Sequence, residues 1–167
     1  PGDMYNTKNC GQACGVMLGG YYNHGTVNSS VITAENSYLA QVYNDRRYLD
    51  PNGWYTNFYQ NTGGRDELGL LLRNFHGLRY TVYFGHAPDD VVQEVAHGRP
   101  VIVGVMISGG RLVSSGGVAH WVLAIGWHGN VILNDPGSVS GHYRQLSVSD
   151  FDRTWATQGR VYVPVYR

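Results

Sequence analysis

Apolar residues in the first half of the chain recur at helical spacing, while those in the second half gather in short runs rich in Val and Ile. Over residues 10–22, Cys10, Cys14, Met17, Leu18 and Tyr21 fall at i, i+4, i+7, i+8 and i+11, one face of a helix. "SVITAENSYLAQVYN" predicts a second helix over about 33–43. "RDELGLLLRNFHG" predicts a third, with Asp66 near its start and Gly77 as its stop. A fourth, "APDDVVQEVAHG", is opened by Pro88 and Asp89 and closed by Gly98. The stretch "DPNGWYTNFYQNTGG" is aromatic and turn-rich, and reads as a connection.

Beyond Gly98 the period changes. "PVIVGVMI", "HWVLAIGWHG", "NVILND" and "RVYVPVY" are separated by Gly, Asn, Asp and Pro and read as strands. "GWHGNVILND" has the form of a hairpin turning at 128–130. One short helix, "SVSDFDRTW", precedes the last strand, with Ser147 or Ser149 as its cap. Helices first and an antiparallel sheet afterwards is an α+β layout. No repeat or internal boundary is visible, so a single domain over 1–167 is expected.

Composition narrows the function classes. A hydrophobic share of 43% with 14% charged residues describes a folded chain. Formal net charge is zero, so nothing argues for a nucleic-acid surface or for binding to anionic lipid. The longest apolar run, around 101–107, is too short to cross a bilayer. Pro1 is not a translation start, which implies processing or trimming and leaves room for a removed export signal or a larger precursor. Compartment stays open.

Candidate chemistry begins with the two cysteines, four residues apart in "NTKNCGQACGVMLGGYY". A disulfide at i and i+4 of a helix would be strained and would close almost no loop. Structural zinc lacks its second pair of ligands. Cys14, in the helix interior, reads as a small core residue. Cys10 sits at the helix start, where unpaired N–H groups favour a thiolate, and a nucleophile there would also need a base.

Among seven histidines, His24, His76, His97 and His128 adjoin glycines and read as surface turn residues, while His86 and His142 lie in loops. His120 differs because it opens the apolar strand "HWVLAIGW", where a polar group must be hydrogen-bonded or used. The hairpin returns "NVILNDPGS" to the level of 120–123, so Asp135 can reach the His120 ring and fix its tautomer. Asp before Pro is also an ordinary turn former.

"NCGQACGVMLGGYY", "GRPVIVGV", "AHWVLAIGWHGNVILNDPGS" and "SVSDFDRTW", in that order over nearly the whole chain, resemble the bacteriocin-processing (double-glycine leader) peptidase family and its stand-alone relatives in the papain-like superfamily. The resemblance implies a bacterial source and a papain-like α+β fold, with N-terminal helices carrying the nucleophile on an antiparallel sheet that carries His and Asp. It implies Cys10 as nucleophile, His120 as general base and Asp135 as third member. Its substrate would be a peptide or protein, with no metal or organic cofactor. Trp54, Trp121, Trp127 and Tyr21 are candidates for lining a substrate groove.

The chain departs from the family at one point. The family's oxyanion glutamine lies six residues before the nucleophile, where this chain has Met4, which cannot donate a hydrogen bond. Asn6 is the candidate replacement, with Asn9 also in reach of the role; Gln12 lies inside the helix beyond the nucleophile. Two other readings remain beside the peptidase. One is a cell-wall amidase of the Cys-His type with a histidine as orienter. The other is a weak or silent papain-like domain that binds peptide.

Overall fold

The helical half and the strand half are both present in the computed structural model, which describes residues 8–50, 56, 66–138 and 140–167. The helices are α1 (Cys10–Asn23), α2 (Ser29–Tyr43), α3 (Glu67–Leu70), α4 (Pro88–Ala96) and α5 (Val148–Ala156). The strands are β1 (Arg79–Tyr80), β2 (Val101–Ser108), β3 (Arg111–Leu112), β4 (Val118–Trp127), β5 (Val131–Asn134), β6 (Arg144–Leu146) and β7 (Tyr162–Tyr166). The described residues fall into two compact units, one reaching Tyr80 and including Arg167, the other spanning 81–166.

In the first unit, α1 is buried around most of its circumference and shows no single stripe. Gly11, Gln12, Ala13, Cys14, Gly15, Val16, Leu18 and Gly19 are all buried, while Tyr21, expected on the core face, is exposed. Small residues explain the difference, because neighbours can approach the bare helix backbone. A Cβ on Gly11 would lie 2.7 Å from Leu68 Cδ2, and one on Gly15 would lie 2.8 Å from Glu35 Oε1. Glycine costs a helix about 0.5–1 kcal/mol per position, and close packing is what offsets it here. Ala13 and Val16 meet Ile32 of α2, and Leu39, Tyr48 and Leu71 form a second cluster.

Helix α2 begins four residues before the expected Thr33 because Asn28 caps it. Asn28 Oδ1 accepts from Ser30 N (3.0 Å) and Val31 N (3.3 Å). The predicted third helix keeps its Asp66 cap, which accepts from Gly69 N at 3.0 Å, but it has only one α turn. It continues as a π turn over Leu71–Phe75, ending where His76 N donates to Leu71 O (2.9 Å). Of the aromatic connection at 50–64, only Asp50 and Thr56 lie among the described residues.

His76 corrects the reading of it as a surface turn residue. Its side chain is buried against α1, where a Cβ on Gly19 would sit 2.5 Å from its Nδ1. Its Nε2 lies 2.6 Å from Oε1 of Glu35, which is wholly buried. A glycine neighbour signals a turn, and it does not reveal which side of the turn the ring takes.

The second unit is an antiparallel sheet in the order β7-β2-β4-β5-β6, with β3 also paired to β2. Val101, Val103 and Val105 of β2 stand opposite Ala124, Val122 and His120 of β4, so all six share one face. That face packs against Val91 and Val95 of α4 and Phe151 and Trp155 of α5. The hairpin turns at 128–130 as expected, with Gly129 at φ +71°, and a bulge interrupts the β4–β5 ladder between Ala124 and Gly126. Ser147, not Ser149, caps α5 by accepting from Asp150 N (3.1 Å). Strands β3 and β6 escaped the sequence pattern because two or three residues cannot show a period.

Burial raises the Glu35 carboxyl well above its ordinary range and lowers His76 to about 4, so both groups of the pair favour their neutral forms. The raised Glu35 contributes stability that is full below its unfolded value, about 4.5, and is lost as pH rises. The lowered His76 contributes stability that is full above 6.5 and is lost as pH falls towards 4. Below 6.5 the two slopes oppose each other; above it His76 is neutral in both states, and the Glu35 loss alone continues up to that carboxyl's raised value. Unfolding free energy measured by urea titration should therefore decline from pH 6.5 upward, by at most about 1.4 kcal/mol per pH unit. In Glu35→Gln that component of the slope should vanish.

Candidate active site

Strand β4 emerges from the glycine-rich turn at 114–117 and delivers His120 at its third position, opposite Val105. Strand β5 pairs Asn134 with Leu123, so the next residue, Asp135, comes up on the face that carries His120. The two meet: His120 Nε2 is 2.7 Å from Asp135 Oδ1, with both side chains buried. The ring nitrogen facing a carboxylate carries the proton, so Nε2 donates and the basic lone pair is on Nδ1.

Three further features fix this pair, and sequence reasoning named none of them. Gly137 N donates to the same Oδ1 at 2.8 Å, an Asx-type closure of the loop after β5. Arg144 Nη1, from β6, donates to the other oxygen, Oδ2, at 3.1 Å. The loop is closed by Asp135 N donating to Gly141 O (2.8 Å). Gly137 is packed beneath the imidazole, where a Cβ would lie 2.7 Å from His120 Cε1 and 2.8 Å from Nε2. Gly141 lies against the Asp135 carbonyl, leaving no room for a side chain. Gly137 lies within the quoted "NVILNDPGS", but only the packing shows what it and Gly141 make room for.

Cys10 is the first residue of α1 and is half-buried, while Cys14, one turn on, is wholly buried; neither is in a disulfide. The helix start is anchored by a run of buried amides. Thr56 Oγ1 donates to Gln12 Oε1 (3.3 Å), Gln12 Nε2 to Asn36 Oδ1 (2.8 Å), and Asn36 Nδ2 to Asn9 Oδ1 (3.2 Å). Asn9 therefore directs its oxygen to α2 and makes no side-chain cap on α1. Gln12 is a structural amide, in keeping with its interior position. Cys10 belongs to the first unit and His120 and Asp135 to the second. Met4, Asn6 and Trp54 lie outside the described residues. Of the other aromatic candidates, Tyr21 and Trp127 are exposed and Trp121 is half-buried. Among the described residues no three His, Cys, Asp or Glu side chains cluster as a metal site would require, and no helix is long and apolar enough to cross a membrane.

A cysteine opening the first helix, helices followed by an antiparallel sheet, and a histidine on that sheet are the layout of a papain-like cysteine peptidase fold. Residues 3–163 match the Peptidase_C39 like family, and the chain belongs to it. Among solved structures it is similar to one described as a C39-like peptidase from Bacillus anthracis, at 18% identity and TM-score 0.47. That match covers 61% of this chain and 58% of the Bacillus chain. It is also similar to the Pseudomonas avirulence protein AvrPphB, at 13% identity and TM-score 0.38, over 95% of this chain and 89% of that one. Comparison with curated proteins gave no match.

Packing beneath the imidazole yields a direct test. Gly137→Ala forces the His120 ring or the loop to shift, and overpacking of this kind costs about 1–3 kcal/mol. Thermal unfolding should register that loss, and the His120 ring proton resonance at Nε2 should lose the downfield position of a carboxylate-bonded N–H.

Proposed function

We propose that this chain is a cysteine peptidase in which Cys10 is the nucleophile, His120 the general base and acid, and Asp135 the group that orients the imidazole. The proposal treats both units as parts of one catalytic domain acting on a peptide or protein. The observation that carries it is the buried His120–Asp135 pair, joined at 2.7 Å through Nε2. An aspartate in that position favours a peptidase over an amidase that orients its base with a second histidine.

In this reading His120 Nδ1 takes the proton of the Cys10 thiol, and the thiolate attacks the carbonyl carbon of the scissile peptide. Negative charge moves to the carbonyl oxygen, which accepts from the Cys10 backbone N–H and from a side-chain amide assigned to Asn6. The C–N bond then breaks as His120 returns its proton to the leaving amine, leaving a thioester on Cys10. Water attacks the thioester, giving one proton to His120 and releasing the carboxyl product and the Cys10 thiolate. Asp135 contacts no substrate. It holds Nε2–H so that Nδ1 stays the basic nitrogen throughout.

Cys10→Ala should abolish peptide hydrolysis, while Cys14→Ala should keep most of it with a stability loss of about 1–2 kcal/mol from a small cavity. Equal loss in both variants at equal folded fraction would remove Cys10 from the role. The oxyanion assignment has its own test. If Asn6 donates, Asn6→Ala should lower kcat by about 100-fold or more and Met4→Gln should change little. A gain of about tenfold in Met4→Gln, with Asn6→Ala silent, would instead mean a hole lacking its donor.

A further inference from the structure

Asp135 has a second carboxylate oxygen that the orientation of His120 does not use. Oδ1 serves His120 Nε2 and Gly137 N, and Oδ2 accepts from Arg144 Nη1 at 3.1 Å. The same guanidinium nitrogen donates to Gly110 O at 3.3 Å, in the turn between β2 and β3. Arg144 reaches this point because β6 pairs it with Leu133, two residues before Asp135, so the two side chains project from the same face. The guanidinium is about a quarter exposed and the carboxylate is wholly buried. Arg144 is thus the contact through which a charged partner at the molecular surface reaches an otherwise enclosed aspartate.

We propose that Arg144 is a positioning residue of the active site: it clamps Oδ2 of Asp135, sets the carboxylate plane that faces His120, and offsets part of the aspartate's charge. The inference rests on the peptidase reading for its consequence and on the geometry of the second unit alone for its cause. An aspartate with no cationic partner would hold a proton on His120 strongly. Arg144 weakens that hold, which lets the imidazolium release its proton to the leaving amine. Around the imidazole, β5 contributes Asp135, β6 contributes Arg144 across that carboxylate, and the cross-strand neighbour on β2 is the uncharged Val105. Removing the positive charge should therefore raise the His120 titration midpoint.

The test is an NMR titration of the His120 imidazole in the full chain, its resonance assigned by loss in His120→Gln. Arg144→Gln is preferred to Arg144→Ala because its amide still donates to Oδ2, so the buried carboxylate is not orphaned and the fold is spared. Arg144→Gln should raise the midpoint by about 0.5–1 pH unit, the size expected of a unit charge roughly 6–8 Å away in a partly screened site. Arg144→Lys, which keeps the charge without the planar fork, should stay within about 0.3 unit of the parent. On a peptide substrate, Arg144→Gln should lower kcat more than it raises KM. A midpoint in Arg144→Gln within about 0.2 unit of the parent would overturn the proposal, as would an equal shift in Arg144→Lys. The imidazole is read directly, so the midpoint shift stands or falls separately from peptide hydrolysis. An unchanged midpoint in an active enzyme rejects the role of Arg144, and a shifted midpoint in an inactive one rejects the peptidase reading.

Discussion

A carboxylate withdrawn from water needs donors for the lone pairs it retains, and the second unit is arranged around meeting that need for Asp135. Each donor comes from a different segment: His120 from β4, Gly137 from the loop that follows β5, and Arg144 from β6. Burying a carboxylate without such partners would cost several kcal/mol or force it to take up a proton. Sheet register, the closure of the loop by Gly141 and the packing of Gly137 under the imidazole all serve this convergence. The chemistry proposed for His120 depends on it, because a histidine whose Nε2 is held has only Nδ1 to offer as a base.

The first unit meets a related constraint with different means. Its central helix is lined with Gly11, Ala13, Gly15 and Gly19, and bulk is supplied by neighbours approaching from α2, α3 and the π turn. Where polar groups are enclosed by this packing they are linked to one another, as in the amide run from Thr56 to Asn9. Glu35 and His76 fill the crevice over Gly15 and Gly19, leaving Glu35 Oε2 without a hydrogen bond. A carboxyl in that setting favours its protonated form, consistent with the rise that burial imposes on it. The helix that begins at Cys10 is thus fixed by polar contacts near its start and by close packing further along.

How much of this could be read from the sequence follows from the range of each signal. The α+β order was legible because α1, α2, α4, β2 and β4 each extend over eight or more residues, and Cys10, His120 and Asp135 stood out because each stands at or near an element's edge. The Asp135–His120 meeting was legible too, since a two-strand hairpin with a known turn fixes which residues return to the same level. Arg144 was not, because β6 is three residues long and its position in the sheet depends on a loop whose course no local rule specifies. His76 was misread for the same reason: its partner Glu35 lies forty-one residues away on another helix. The start of α2 was missed although Asn28 was in plain view, because Ser29 and Ser30, both polar, stand between that cap and the first apolar residue, Val31.

The central claim is that His120 and Asp135 make Cys10 a nucleophile, and its most direct measure is the alkylation rate of that single thiol. At pH 6 an ordinary cysteine is well under one per cent thiolate. The account predicts that iodoacetamide modifies Cys10, identified by peptide mapping, at least about tenfold faster than free cysteine at pH 6, and that His120→Ala removes the advantage. A Cys10 that reacts no faster than free cysteine in the folded parent protein, or equally fast with and without His120, would contradict it.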